Sequence, residues 1–187
     1  MTTADDAPDD RVLVRRALAG DDHAYGDLVR RHQAAALRVA AGICGSTEEA
    51  RDIVQDAFVK GHRALPSWRG DAPVRSWMLR IVANDARNAV RARARRQRRE
   101  ERFGALREAT AGDPVGDTVA GDDEARAVLG LLGRLDERDR EVLACRFVAG
   151  LSEAETAVAL DVPAGTVKSR TSRALARARA LVAEVAP

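Results

Sequence analysis

The sequence predicts an all-α protein of two small helical domains joined by a flexible acidic linker. Two observations carry this. Apolar residues recur at three- and four-residue steps almost throughout, with no run of strand-like alternation. That periodicity fails once, from Phe103 to Asp123, where glycines, one proline and five acids surround a single arginine. The predicted layout is an acidic disordered tail at 1–10, a first domain at 11–100, the linker at 101–123 and a second domain at 124–183.

Each element has its own signal. Tyr25, Leu28, Val29, Ala35, Ala36, Val39, Ala40 and Ile43 form one helical stripe that stops at Gly45, and Thr47 is placed to cap the next helix. That helix carries Ala50, Ile53, Val54, Ala57, Phe58 and Gly61 on one side. The loop PSWRGDAP then breaks the chain before a third stripe of Val74, Trp77, Met78, Ile81, Val82, Ala89 and Val90. Beyond the linker, Val128, Leu131, Leu132 and Leu135 resume the spacing, followed by Val142, Leu143, Phe147 and Val148.

Composition narrows the function. The chain has 187 residues, 45% of them apolar, enough to bury one medium core or two small ones. Its formal charge is only +2, yet that total hides segregation. The first ten residues hold four Asp and no cation, whereas Ala86 to Arg102 holds eight Arg against two Glu. Cys44 and Cys145 each sit within an apolar pattern, so they read as buried free thiols rather than a disulfide framework or zinc site. The acidic start has no export signal, and no run of 18 apolar residues occurs. The expectation is a cytoplasmic protein without membrane insertion.

The stretch LSEAETAVALDVPAGTVKSRTSRALARA carries the first functional motif. Ser152 with Glu155 three residues on spells a capping box. A three-residue turn, Asp161-Val162-Pro163, separates that short helix from a second one beginning near Ala164. Two helices so joined make a helix-turn-helix, whose second helix fits the DNA major groove. At 100° per residue, Val167, Thr171, Ala174, Ala178 and Leu181 face inward. Lys168, Ser169, Ser172 and Arg173 face outward, with Arg170 and Arg177 on one flank and Arg179 on the other. The segment Pro163–Ala180 holds five cations and no acid, which suits duplex phosphates.

Two further faces stand out. Arg80, Asn84, Arg87, Asn88, Arg91 and Arg95 fall at helical steps opposite the third apolar stripe, next to the loop Ser67-Trp68-Arg69-Gly70-Asp71. A basic groove beside aromatics suits single strands, whose unstacked bases offer edges to amides. Trp77 lies in the apolar stripe and reads as core; Trp68 stays open between core and base contact. On the second helix Asp52, Gln55 and Asp56 share one polar face, which reads as a surface for a basic protein partner. Neither His23, His32 nor His62 stands at ligand spacing, so no metal, cofactor or catalytic group is expected.

Taken together, IVQDAFVKGHRAL, WRGDAPVRSWMLRIVANDARNAVR, the acidic linker and LDERDREVLACRFVAGLSEAETAVALDVPAGTVKSR resemble bacterial sigma factors of the extracytoplasmic-function group, in the sigma-70 family. The resemblance runs from about 11 to 182, with three separated motifs in family order. It implies a transcription initiation factor whose partners are RNA polymerase core and promoter DNA, commonly also an anti-sigma factor. Asp52, Gln55 and Asp56 match the helix that docks on the beta-prime clamp, and the second domain would meet the beta flap. Trp68, Arg80, Asn84, Arg87, Asn88 and Arg91 fall in the part that melts the minus-ten element. Within it Asn84 matches the asparagine that captures a flipped nontemplate base, and Ser67 to Pro73 matches the loop forming its pocket. Thr166, Lys168, Ser169, Arg170, Ser172, Arg173 and Arg177 fall in the part that binds the minus-thirty-five duplex. The linker would thread toward the active-site and RNA-exit channels.

The chain departs from the family pattern at four places. Asp56 stands where Glu is usual, Thr156 where Ile is, Val158 where a charged residue is, and Asp161 where the turn glycine is. Aspartate tolerates the left-handed conformation, so the turn is expected to survive. Two alternatives remain at this point. A helix-turn-helix repressor would leave the Asp52 face and the Trp68–Arg95 segment without a role, and a nucleic-acid-processing enzyme would need a metal-binding carboxylate cluster or a nucleophile with its base.

Overall fold

The computed structural model describes residues 9–104 and 123–184, and every regular element among them is helical. The tail and most of the linker, at 1–8 and 105–122, lie outside the described residues.

The first half opens with α1 (Asp10–Leu18), a short helix that the apolar spacing does not announce because it buries only Leu13 and Val14. α2 (Asp22–Cys44) starts where the Asp21 carboxylate accepts from the Ala24 amide at 3.2 Å. It ends at Gly45, where the stripe stops, and the glycine there adopts the left-handed conformation. α3 (Thr47–Ala64) is capped by Ser46, one residue before the expected Thr47, through a 3.2 Å bond from the Glu49 amide. A 3₁₀ turn (Leu65–Ser67) and a loop lead into α4 (Val74–Gly104), which continues four residues past the expected boundary at 100.

Two polar contacts pin these helices. The Tyr25 hydroxyl donates to the Phe58 carbonyl at 2.6 Å, fastening α2 to α3. His32, buried, meets Asp10 of α1 at 2.9 Å. An ionised carboxylate only accepts, so Nε2 of the neutral imidazole carries the proton. Burial holds the His32 pKa below its usual value, outweighing the pull of Asp10 in the other direction.

The second half comprises α5 (Asp123–Gly133), α6 (Glu137–Leu143), a π-helical turn (Ala144–Val148), α7 (Glu153–Leu160) and α8 (Ala164–Ala183). The Ser152–Glu155 capping box is present in both directions, at 3.2 and 2.8 Å. Asp161 adopts φ 56° and ψ 50°, so aspartate does hold the left-handed turn. Cys44 and Cys145 are both buried free thiols, and burial pushes the Cys145 thiol up to about 12.

The two halves do not keep separate cores. Buried side chains from Leu13 to Ala178 form one continuous cluster. At its centre α2 crosses the π-helical turn so closely that a Cβ on Gly42 would stand 2.5 Å from the Ala144 Cβ. Glycine is required there by proximity rather than by backbone angle. Beside that crossing, the Arg140 guanidinium donates to the carbonyls of Leu132, Gly133 and Leu135 at 3.0–3.1 Å, and to Ile43 at 3.4 Å. One side chain thereby serves carbonyls at and just beyond the C-terminal ends of α5 and α2.

α4 shows the consequence. Val74, Met78 and Val82 are buried as the spacing foretold, but so are Ser76, Leu79, Ala83 and Ala86. On the helical wheel these four lie between the direction of Arg75 and that of Arg80 and Arg87. All three arginines bond to α7, its C-cap or α6. The second half thus covers a strip of α4 in which Leu79 is flanked by the small residues Ser76, Ala83 and Ala86.

Candidate nucleic-acid interface

Three surfaces were expected from sequence, and the fold treats them differently. On α3 the buried residues Ile53, Val54, Ala57 and Phe58 turn inward, which leaves Asp52, Gln55 and Asp56 side by side and exposed. Among the described residues neither carboxylate makes an ion pair. The face is open and anionic.

On α8 the wheel assignment holds. Val167, Ala174 and Ala178 are buried, Thr171 and Leu181 are partly so, and Lys168, Ser169, Ser172 and Arg173 are exposed. The Ser169 hydroxyl donates to the Thr166 carbonyl at 3.2 Å, and Arg173 Nε to the Ser169 carbonyl at 3.3 Å. Those bonds lay the side chains along the helix without engaging any carboxylate. The flank is different. Arg177 pairs with Asp136 at 2.8 Å and with buried Asp139, so one of the five cations is compensated within the fold. Thr156, where the family has Ile, is fully buried and its hydroxyl has no hydrogen-bond partner.

The α4 stripe is where tertiary structure intervenes most. Arg80 pairs with Asp161 at 2.8 Å, Arg87 with Glu141 at 2.7 Å and Arg91 with Glu137 at 3.1 Å. Arg75, just upstream, pairs with Glu155. Burial raises the Glu155 pKa, but the Ser152 amide and hydroxyl and then Arg75 bring it below the usual carboxylate value. Asn84 is held as well, its side-chain oxygen accepting from Arg87 at 2.8 Å. Asn88 is exposed and opens onto a cleft of about 470 Å³ between the halves, walled by Asn84 and Arg91 on one side and Arg138 and Arg170 on the other. Trp68 is half-buried, and its indole N–H donates to the Ala72 carbonyl at 3.1 Å, closing the loop on itself. Sequence reading missed the carboxylates opposite the stripe. They stand 46–81 residues from their arginines, and no local spacing links them.

A stripe of arginines and asparagines, an open acidic face and a helix-turn-helix therefore sit on one helical frame, in the order that the resemblance requires. Residues 28–96 match the family described as Sigma-70 region 2, and residues 125–177 match Sigma-70, region 4. The chain belongs to the sigma-70 family.

Its relatives place this sigma factor in the extracytoplasmic-function group. It is 35% identical over 179 residues to the RNA polymerase sigma factor CnrH of Cupriavidus metallidurans, covering 92% of this chain and 94% of that one. It is 38% identical over 170 residues to the extracytoplasmic-function sigma factor SigM of Mycobacterium tuberculosis, covering 90% and 82%. In three dimensions it resembles CnrH solved in complex with the cytosolic domain of CnrY. The TM-score is 0.71 at 30% identity, over 95% of this chain and 99% of that one. The sigma factor is thus a transcription initiation factor, with the region 2 match running from within α2 to within α4 and the region 4 match from within α5 to within α8.

Proposed function

We propose that this sigma factor binds RNA polymerase core and directs it to promoters whose minus-ten element it melts and whose minus-thirty-five element it reads. Asp52, Gln55 and Asp56 meet the basic clamp of beta-prime, and region 4 meets the beta flap. Trp68, Arg80, Asn84, Arg87, Asn88 and Arg91 engage the nontemplate strand. Thr166, Lys168, Ser169, Arg170, Ser172 and Arg173 lie against the minus-thirty-five duplex, with Arg177 at its edge. The reading asks no catalysis of this chain, since bond formation belongs to the polymerase, and it puts the protein in the cytoplasm, where the polymerase works.

One observation carries the proposal. Lys168, Ser169, Ser172 and Arg173 form an outward face on the second helix of a helix-turn-helix whose first helix is closed by a capping box, and among the described residues no carboxylate pairs with it. Cations, hydroxyls and no acid are what phosphates and base edges select. An anti-sigma factor belongs to the same proposal, supported by likeness to CnrH held by CnrY.

The test is run-off transcription with purified core polymerase on a pool of promoter fragments. Specific initiation that depends on this chain is the expected result, lost in Asp52→Lys/Asp56→Lys at unchanged helix content. Tight operator binding by the chain alone, with no effect on the polymerase, would overturn the proposal. Within it, Asn84→Ala should slow promoter opening more than duplex recruitment, because an unstacked base exists only after melting begins. A premelted bubble should restore much of that rate.

A further inference from the structure

The cleft between the halves holds more positive charge than the fold itself answers. We propose that it is a binding site for a small phosphate-chain anion, a pyrophosphate group either free or carried by a nucleotide. The proposal goes beyond promoter binding and does not depend on how α4 or α8 meets DNA.

Four arginines line the cleft, Arg87 and Arg91 from α4, Arg138 from α6 and Arg170 from α8, against two acids, Glu137 and Glu141. Both acids are already paired to the α4 wall, Glu141 with Arg87 at 2.7 Å and Glu137 with Arg91 at 3.1 Å. Arg138 and Arg170 are left over. Among the described residues neither makes an ion pair or a side-chain hydrogen bond.

Arg170 is the more telling of the two, because it is half-buried. A guanidinium stays charged at any ordinary pH, so one partly withdrawn from water without an acceptor carries a desolvation cost that an entering anion relieves. A phosphate chain fits the demand. Its oxygens accept from the planar guanidinium fork, and a second phosphate supplies charge for the second arginine. Asn88 is exposed beside them with no hydrogen bond of its own in the fold, and it adds an uncharged donor. Leu160 is the one apolar side chain among the described residues of the lining, so an apolar ligand gains little here. The cleft's volume of about 470 Å³ admits a pyrophosphate group with a nucleoside attached.

The experiment is isothermal titration calorimetry on the full-length chain, at constant ionic strength in buffer free of phosphate. The titrants are pyrophosphate, adenosine diphosphate, adenosine and sulfate. Pyrophosphate and adenosine diphosphate should bind saturably at one site, sulfate more weakly and adenosine not at all. Equal affinity for the first two assigns the site to the phosphate chain alone, and tighter binding of adenosine diphosphate assigns it to a nucleotide; either upholds the proposal. Arg138→Gln/Arg170→Gln should weaken binding on the order of tenfold. Arg138→Gln alone, a change at an exposed position, should give a smaller loss in the same direction. The control Arg95→Gln/Arg99→Gln removes two exposed arginines of α4 outside the cleft and should leave affinity unchanged. In hydrogen exchange, pyrophosphate should protect α4 around Asn88 and α6 around Arg138 together. Absence of saturable binding overturns the proposal, as does sulfate binding as tightly as pyrophosphate. So does an equal loss in the cleft variant and the control, or protection confined to the exposed C-terminal part of α4, since each reports diffuse positive charge instead of a site.

Discussion

Arg87 of region 2 donates through Nε to the Glu141 carboxylate of region 4 at 2.7 Å, and through its terminal nitrogen to the Leu160 carbonyl at 3.3 Å. The contact joins residues 54 apart in a nearly dry place. Removing one member of a fully buried pair costs about 3–5 kcal/mol because the other charge is left without a partner. Arg87 retains some exposure, so Arg87→Leu should lower unfolding free energy by about 2 kcal/mol, discounted from that range. Arg87→Leu/Glu141→Leu should recover most of the loss. Urea denaturation of the two single variants and the double variant closes the cycle.

The cations of α8 should separate by role. Arg173→Ala should cost roughly 1–3 kcal/mol of promoter affinity and flatten preference at one minus-thirty-five position, with folding unchanged. Arg177→Ala leaves buried Asp139 without its Arg177 partner, so it should lower the melting temperature as well as weaken binding to all sequences alike. Binding to single-base promoter variants, with a thermal melt of each protein, checks both. Altered base preference in Arg177→Ala but not in Arg173→Ala would mean the helix is rotated from this placement.

Gly42→Ala should push the halves apart. Its Cβ would meet the Ala144 Cβ at 2.5 Å and the Ala144 Cα at 3.3 Å, and neither can swing away as a long side chain could. Overpacking of this kind costs about 1–3 kcal/mol, against a gain in helix propensity near 1. The variant should melt earlier and scatter X-rays as a larger particle. Gly42→Ala/Ala144→Gly, which moves the methyl from one helix to the other, should restore the compact form.

Acid should loosen the α1–α2 contact. His32 is buried and neutral, with its pKa lowered, while the unfolded chain takes up a proton at about 6.5. The unfolded state therefore binds more protons below that pH, and stability must fall as pH drops through it. Between pH 7.5 and 5.5 the urea midpoint should decrease in the wild type and decrease less in His32→Gln. Equal pH dependence in the two proteins would show that other groups set it.

Local chemistry determined much of this protein. The stops at Gly45 and Asp161, the capping box at Ser152, the turn before Ala164 and the outward set Lys168, Ser169, Ser172 and Arg173 all depend on neighbours within a few residues. So does the exposed trio on α3, which follows from a helical period and one apolar stripe. What sequence could not reveal is the second burial of α4. Ser76, Leu79, Ala83 and Ala86 fall at helical steps, but only Leu79 among them is large and apolar, so they mark no strong core face, and only the arrival of α7 makes them one. The same holds for the arginines beside them. A basic stripe read along the chain looks free, because the carboxylates that answer it lie 46–81 residues away on helices whose own patterns point elsewhere. Periodicity sets which face of a helix is buried first; which charges meet across two halves is settled by packing, through a crossing that Gly42 and Ala144 make close enough to share one core.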